Sequence, residues 1–308
     1  MEIGQNMRKN ILVALVMGII VWGLSDTRGF SQGEKTKLVW KGCGISRRAF
    51  MVECAQAYEK KTGVHIELIG GGATLGIRAT CAGDADMGGT SRPCLSDLFP
   101  EQESGGYLTI VAWDAICFIT HPANPVDGIT TKQARDILTG KITNWKQIGG
   151  PDRRIVLIYR IQTEKEKFSG VGYMTREFLF GDPSVDFAEK ALYFRDTGLV
   201  ERNVENIESS FAADGVSSAR KRRVKILALD GIACTKENII TGNYPFFRPL
   251  YLITRGKPTG ELKKFLDWIL SDEAQAIISA QGTVNLKEGE GLKEKFKLWE
   301  HTDLILNY

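Results

Sequence analysis

Along this chain short apolar stretches are each followed by a small-residue loop and then by a helical pattern. Lys37-Leu38-Val39-Trp40 reads as a strand running into Gly42-Cys43-Gly44-Ile45-Ser46. Over residues 47–61, Phe50, Cys54, Ala57 and Tyr58 fall at helical spacing, and Thr62-Gly63 supplies a left-handed close. A second strand, residues 64–69, meets Gly70-Gly71-Gly72-Ala73-Thr74 before a helix over 75–82. A turn at 83–86 then leads into a short strand that ends in Thr90-Ser91-Arg92-Pro93.

Further along, residues 108–120 are long and mostly apolar, enough for consecutive strands or for one strand crossing between lobes. A helix over 131–138 with a threonine cap, a strand over 155–160, a polar segment over 162–172 and a helix over 175–180 come next. Residues 248–254 read as another strand. The helix over 261–271 places Leu262, Phe265, Leu266 and Ile269 on one face. Repeated strand, loop and helix predict an α/β fold. In a parallel sheet the loops after the strand C-termini collect at one edge, where ligands usually bind. Residues 43–46, 71–74 and 90–92 are therefore three loops expected to converge. A helix start offers unpaired N–H groups and the positive end of its dipole, so such an edge suits an anion.

The first 31 residues stand apart. Arg8 and Lys9 precede an apolar run over 11–24, and Gly29 and Ser31 are small enough for cleavage after Ser31. This is the order of a secretory signal peptide. An uncleaved anchor is the alternative, although the run is short for a span. Cys43 lies well past it, which argues against a lipoprotein anchor. The remaining chain suffices for two ordinary α/β domains.

Net charge is +3, which gives no reason to propose nucleic acid. The basic run Arg220-Lys221-Arg222-Arg223 reads as a solvated turn before a strand. All 6 cysteines follow the leader. An exported location permits disulfides, but their pairing is open. Irregular spacing without C-x-x-C argues against zinc. Cys54, Cys81 and Cys117 fall on apolar faces, and Trp113 and Trp145 are expected to pack in cores. Asp86 is expected to brace its own turn. His65, His121 and His301 are scattered, and no Ser/His/Asp arrangement, nucleophile elbow or Walker loop is present. A hydrolase using the glycine loop as an oxyanion hole therefore lacks a base and a nucleophile.

Several longer stretches resemble one family. They are residues 70–78, residues 83–93, Ile137-Leu-Thr-Gly-Lys-Ile-Thr-Asn-Trp145, Gly231-Ile-Ala-Cys-Thr-Lys-Glu-Asn238 and residues 244–254. In this order, covering most of residues 38–285, they resemble the phosphate-type solute-binding proteins of bacterial ABC importers, class II periplasmic binding proteins. The resemblance implies a two-lobed type II fold with hinge-linked lobes and central, mostly parallel sheets. The first lobe would comprise residues 34–119 plus 246–308, and the second residues 120–245. It implies a monomeric, periplasmic binding protein, not an enzyme, that takes phosphate or a related oxyanion to an ABC permease. Neither a cofactor nor a metal is expected.

Transferred by position, the ligand-binding residues are Ile45, Ser46, Ala73, Thr74, Ser91 and Arg92 from one lobe. Arg160, Ser169, Gly170 and Thr175 would come from the other. Thr74 and Ser46 have a competing role as helix caps, each worth about 1 kcal/mol. Arg160 alternatively pairs with Glu164 or Glu177. The chain departs from the family where a compact Ser-Gly-Thr loop usually follows the arginine: here Ser169-Gly170 stands apart from Thr175. It departs again where phosphate binders carry an aspartate and this chain has Ser91-Arg92. A sensor or partner-binding protein with lost or altered anion specificity is the alternative function.

Overall fold

The computed structural model describes residues 37–160 and 168–296. The leader, Glu164 with the rest of residues 161–167, and His301 lie outside the described residues. Ten strands occur among the described residues: β1 Lys37–Gly42, β2 His65–Gly70, β3 Met87–Thr90, β4 Gly106–Thr120 and β5 Gly128–Ile129. They continue with β6 Val156–Arg160, β7 Ala191–Phe194, β8 Ser210–Gly215, β9 Lys225–Leu229 and β10 Phe247–Arg255. The sheet order is β2-β1-β3-β10-β4-β8-β6-β7, with β9 also on β4 and β5 on β9.

Direction is mixed. β1 pairs parallel with β2 and β3, and β6 pairs parallel with β7 and β8. Around β4 the pairing is antiparallel, with β10 on its first half and β8 and β9 on its second. The apolar stretch over 108–120 is thus one continuous strand of 15 residues, buried over nearly all its length. A run apolar on both faces demands cover on both faces, and this strand has it.

Two main cores flank it. One gathers Trp40, Phe50, Tyr58, Val111, Leu250 and Phe265. The other gathers Phe118, Trp145, Ile158, Phe211 and Leu227, with Trp113 at its edge. The expected burial of Trp113, Trp145, Cys54 and Cys117 is observed, whereas Cys81 is half-buried. Residues 44–62 are helical throughout, with a wider π-turn at Arg47–Met51, and Gly63 closes them at φ 79°.

Some local expectations are corrected. Asp86 accepts the Val39 N–H at 2.7 Å and so ties its turn to β1. The helix Thr131–Leu138 has its expected threonine cap in Thr130, in a reciprocal arrangement with Gln133. The helix expected at 175 starts at Gly170, with Ser169 as its cap. The basic run is not simply solvated: Arg222 reaches buried Glu201 at 2.7 Å, and Lys221 donates to the Arg48 carbonyl at 2.6 Å.

Candidate functional site

The helix starts meet as the loop pattern demands. β1 ends at Gly42, Cys43 caps the next helix, and its thiol accepts the Ser46 N–H at 3.3 Å. β2 ends at Gly70, and Gly71-Gly72 swing into the helix Ala73–Ala82. Gly72 sits at φ 103°, a region that L side chains avoid, and as N-cap it has no side chain to satisfy the first-turn N–H groups. A Cβ on Gly72 would also lie 2.8 Å from Arg160 Nη2, so the guanidinium lies directly over the glycine loop.

From the other side, β6 ends at Arg160 and Ser169 caps the helix Gly170–Phe180 through Gly172 N at 3.2 Å. The helix Thr197–Asn206, capped by Asp196, supplies a fourth start. A Cβ on Gly170 would lie 2.2 Å from Ser91 Oγ and 3.2 Å from the Ala73 Cβ, which shows how closely the two sides approach. Between them lies a narrow cleft lined by Ile45, Ala73, Ser91, Arg160, Ser169 and Gly170, with Cys43, Gly72, Val171 and Thr197 completing it.

Six of the ten expected ligand residues thus share one cleft. The other four are placed differently. Ser46 is buried with its hydroxyl 3.0 Å from the Cys43 thiol, and Cys43 faces the cleft in its stead. Thr74 lines the outer mouth, where its hydroxyl donates to the Phe168 carbonyl and accepts from Arg92. Thr175 lies within its helix and lines a small adjoining space that also meets Arg160 and Ser169.

Arg92 is committed elsewhere. Its Nη1 and Nη2 grip Glu103 at 2.8 and 2.9 Å, and its remaining N–H groups reach Pro93 O, Phe168 O and Thr74 Oγ1. A guanidinium has five donors, and all are engaged, so the arginine braces the loop from behind. Burial alone would raise the Glu103 carboxyl, but Arg92, the Leu95 N–H and Arg78 outweigh it and hold the group below its usual range.

Sequence reasoning missed a second buried ion pair. Arg248 donates to Asp114 Oδ2 at 3.0 Å and to the Gly170 carbonyl at 3.0 Å, while Asp114 Oδ1 accepts Ser217 N–H at 2.9 Å. This pair fixes the start of the Gly170 helix to β4 and β10. Arg248 stands at the start of the strand expected over 248–254 and within the stretch 244–254 that carries the family resemblance, and neither reading points to a partner for it. Thr197 was also missed, although Asp196-Thr197-Gly198 after β7 repeats the strand, loop and helix pattern. Nearby Asp214 is fully buried, and burial followed by repulsion from Glu201 pushes its carboxyl well up, toward the neutral form.

Charge in the cleft is one-sided. The buried guanidiniums of Arg92 and Arg248 are matched by carboxylates behind the wall, and no Asp or Glu is among the described residues that line the cleft. Helix starts, the Ser91 and Ser169 hydroxyls and the Arg160 guanidinium line the cleft, group types that hydrogen-bond oxygens of an anion. A family model described as a PBP superfamily domain matches residues 48–273. The chain belongs to the PBP superfamily.

Named relatives agree with this placement. The chain is 29% identical over 196 residues to the phosphate-binding protein PstS of Borreliella burgdorferi, covering 62% of this chain and 70% of that one. It is 24% identical over 268 residues to PstS of Bacillus subtilis, covering 84% of each. Among solved structures, a substrate-binding protein from Clostridium perfringens, assigned to a phosphate ABC transporter and holding bound phosphate, is 28% identical with a TM-score of 0.73. The match covers 81% of this chain and 99% of that one. An ABC-type phosphate transport receptor from Vibrio cholerae is 25% identical with a TM-score of 0.63, over 81% and 100% of the two chains. The two-lobed α/β fold of the type II binding proteins is therefore this chain's fold. No helix among the described residues is long and apolar enough to cross a membrane.

Proposed function

We propose that this protein is the extracytoplasmic solute-binding component of an ABC importer and captures phosphate or a similar oxyanion. The observation that carries the reading is the cleft itself: helix starts from both sides, two serine hydroxyls and Arg160, with no carboxylate among its described lining. Ile45, Ala73 and Gly170 present backbone at those helix starts, Ser91 and Ser169 offer hydroxyls, and Arg160 supplies fixed charge. Thr74 contributes through its first-turn N–H, its hydroxyl being engaged. Thr175 would meet the ligand only through the adjoining space.

In this reading residues 34–119 with 246–308 form one lobe and residues 120–245 the other, and a hinge motion closes them on the anion. Closure removes water and so strengthens each hydrogen bond to the ligand. The protein works as an exported monomer after loss of residues 1–31, releases its ligand chemically unchanged and hands it to membrane permease subunits. The relatives' names as phosphate-binding proteins support this.

The test is titration calorimetry and thermal melting of the ligand-stripped protein against phosphate, sulfate, arsenate, molybdate and small carboxylates. An anion at a hundred times its dissociation constant stabilises the fold by about 2.7 kcal/mol. A shift with phosphate or another oxyanion supports capture and names the cargo. No heat and no shift with any of them overturns it in favour of a partner-binding sensor.

A further inference from the structure

Cys81 ends the helix that starts at the glycine loop, and Cys94 follows the β3 loop that carries Ser91. Cys117 and Cys234 also neighbour one another but are buried, whereas Cys81 and Cys94 meet at a half-buried place. A Cβ built on Gly106 would lie 2.9 Å from Cys94 Sγ and 3.3 Å from Cys81 Sγ. Both sulfurs thus lie beside the same point on Gly106, the first residue of β4, and so within reach of one another. Both thiols pack against the same small cluster of Ile77, Leu108, Ile110, Tyr251 and Ile253, and both are half-buried.

We propose that Cys81 and Cys94 are a modification site, joined by a disulfide when the protein meets a disulfide oxidant. One thiolate attacks the oxidant's disulfide, displacing one thiolate and forming a mixed disulfide. The second cysteine then attacks the protein sulfur of that intermediate and displaces the other half. Two protein thiols lose two protons and two electrons, and one oxidant disulfide becomes two thiols. Closing a loop this short constrains the unfolded chain. The bridge would also tie the far end of the glycine-loop helix to the segment behind Ser91, clamping one wall of the cleft from outside. The other near-cleft cysteine, Cys43, faces Ser46 and Ser91 hydroxyls and has no thiol neighbour among its hydrogen-bond partners.

The experiment incubates the purified full chain with oxidised glutathione and counts thiols under denaturing conditions. Combined trypsin and Asp-specific digestion separates Cys81, in the peptide Ala79 to Gly83, from Cys94, in the peptide Asp86 to Ser96. The expected result is loss of two thiols, a cross-linked pair of those peptides, and a midpoint raised by about 5 °C or more relative to the reduced protein. Cys81→Ala and Cys94→Ala should each abolish both the link and the reductant-sensitive part of the melting midpoint. Retention of all thiols, mixed glutathione adducts that do not resolve, or a bridge mapped to any other pair overturns the assignment. Should either alanine variant fold poorly, mapping in the unaltered chain decides the question by itself.

Discussion

Replacing Arg92 separates a structural arginine from a ligand-binding one. Arg92→Met removes both bonds to Glu103 and leaves that carboxylate, fully buried, with only Arg78 at 3.1 Å and the Leu95 N–H at 2.9 Å. Breaking a buried pair by deleting one partner costs about 3–5 kcal/mol. For a chain of this size each kcal/mol moves the melting midpoint by roughly 2–4 °C, so a fall of about 6–20 °C is expected. Acid should narrow the gap. The folded Glu103 value is depressed below 4.5, so its stabilising contribution is complete above that pH and is lost as pH falls through the folded value. The double variant Arg92→Met/Glu103→Leu should recover part of the loss, because the buried carboxylate leaves together with its partner and only the partly exposed Arg78 loses an ion pair. Calorimetric melts of the single and double variants, alongside phosphate titration, provide the assay. A single variant within about 1 kcal/mol of the parent would refute the reasoning, given the cost expected for a broken buried pair. So would an unchanged midpoint with affinity lowered tenfold, which would return Arg92 to the ligand.

Arg160→Ala should do the opposite: phosphate affinity measured by calorimetry falls by about tenfold or more, as expected for a charged hydrogen bond, with the melting midpoint nearly unchanged. Gly170→Ala places a methyl where only 2.2 Å separates it from Ser91 Oγ, and should cut affinity by about tenfold or more while leaving far-UV circular dichroism intact. Asp214→Asn should make urea stability less pH-dependent. The folded Asp214 value lies above the unfolded one through burial first and Glu201 second, so the parent loses stability as pH rises above the unfolded value of 3.8. The asparagine variant should gain on the parent at neutral pH, and urea midpoints that track the parent across that range would contradict this.

Most strands and the glycine loop were legible because they follow local periodicity and because small residues mark the helix entries, whereas the choice of Arg160 came from the family resemblance. What was not legible depends on partners distant in sequence or on weak local signals. Arg92 stood beside a loop that faces the ligand, and only the four-residue helix Pro100–Glu103, which no periodicity marks, turns its side chain away. The Gly170 helix began five residues before its expected start because Gly170 and Gly172 are poor helix formers, and packing against Ser91 and the Arg248 hydrogen bond outweigh that preference. Asp114 and Arg248 are 134 residues apart, and no pattern along the chain announces their pairing. Cys43 took the inward position expected of Ser46 because its thiol, as N-cap, points toward the helix start.

The long strand β4 makes the protein resistant to modular dissection. Val111 and Ala112 belong to one core, while Ala115, Ile116, Cys117, Phe118 and Ile119 belong to the other, within a single uninterrupted length of backbone. Neither half can be excised as an autonomous piece without exposing half of a strand that is apolar on both faces. A chimera that exchanges one half with a relative must therefore carry β4 whole, or rebuild both cores at once.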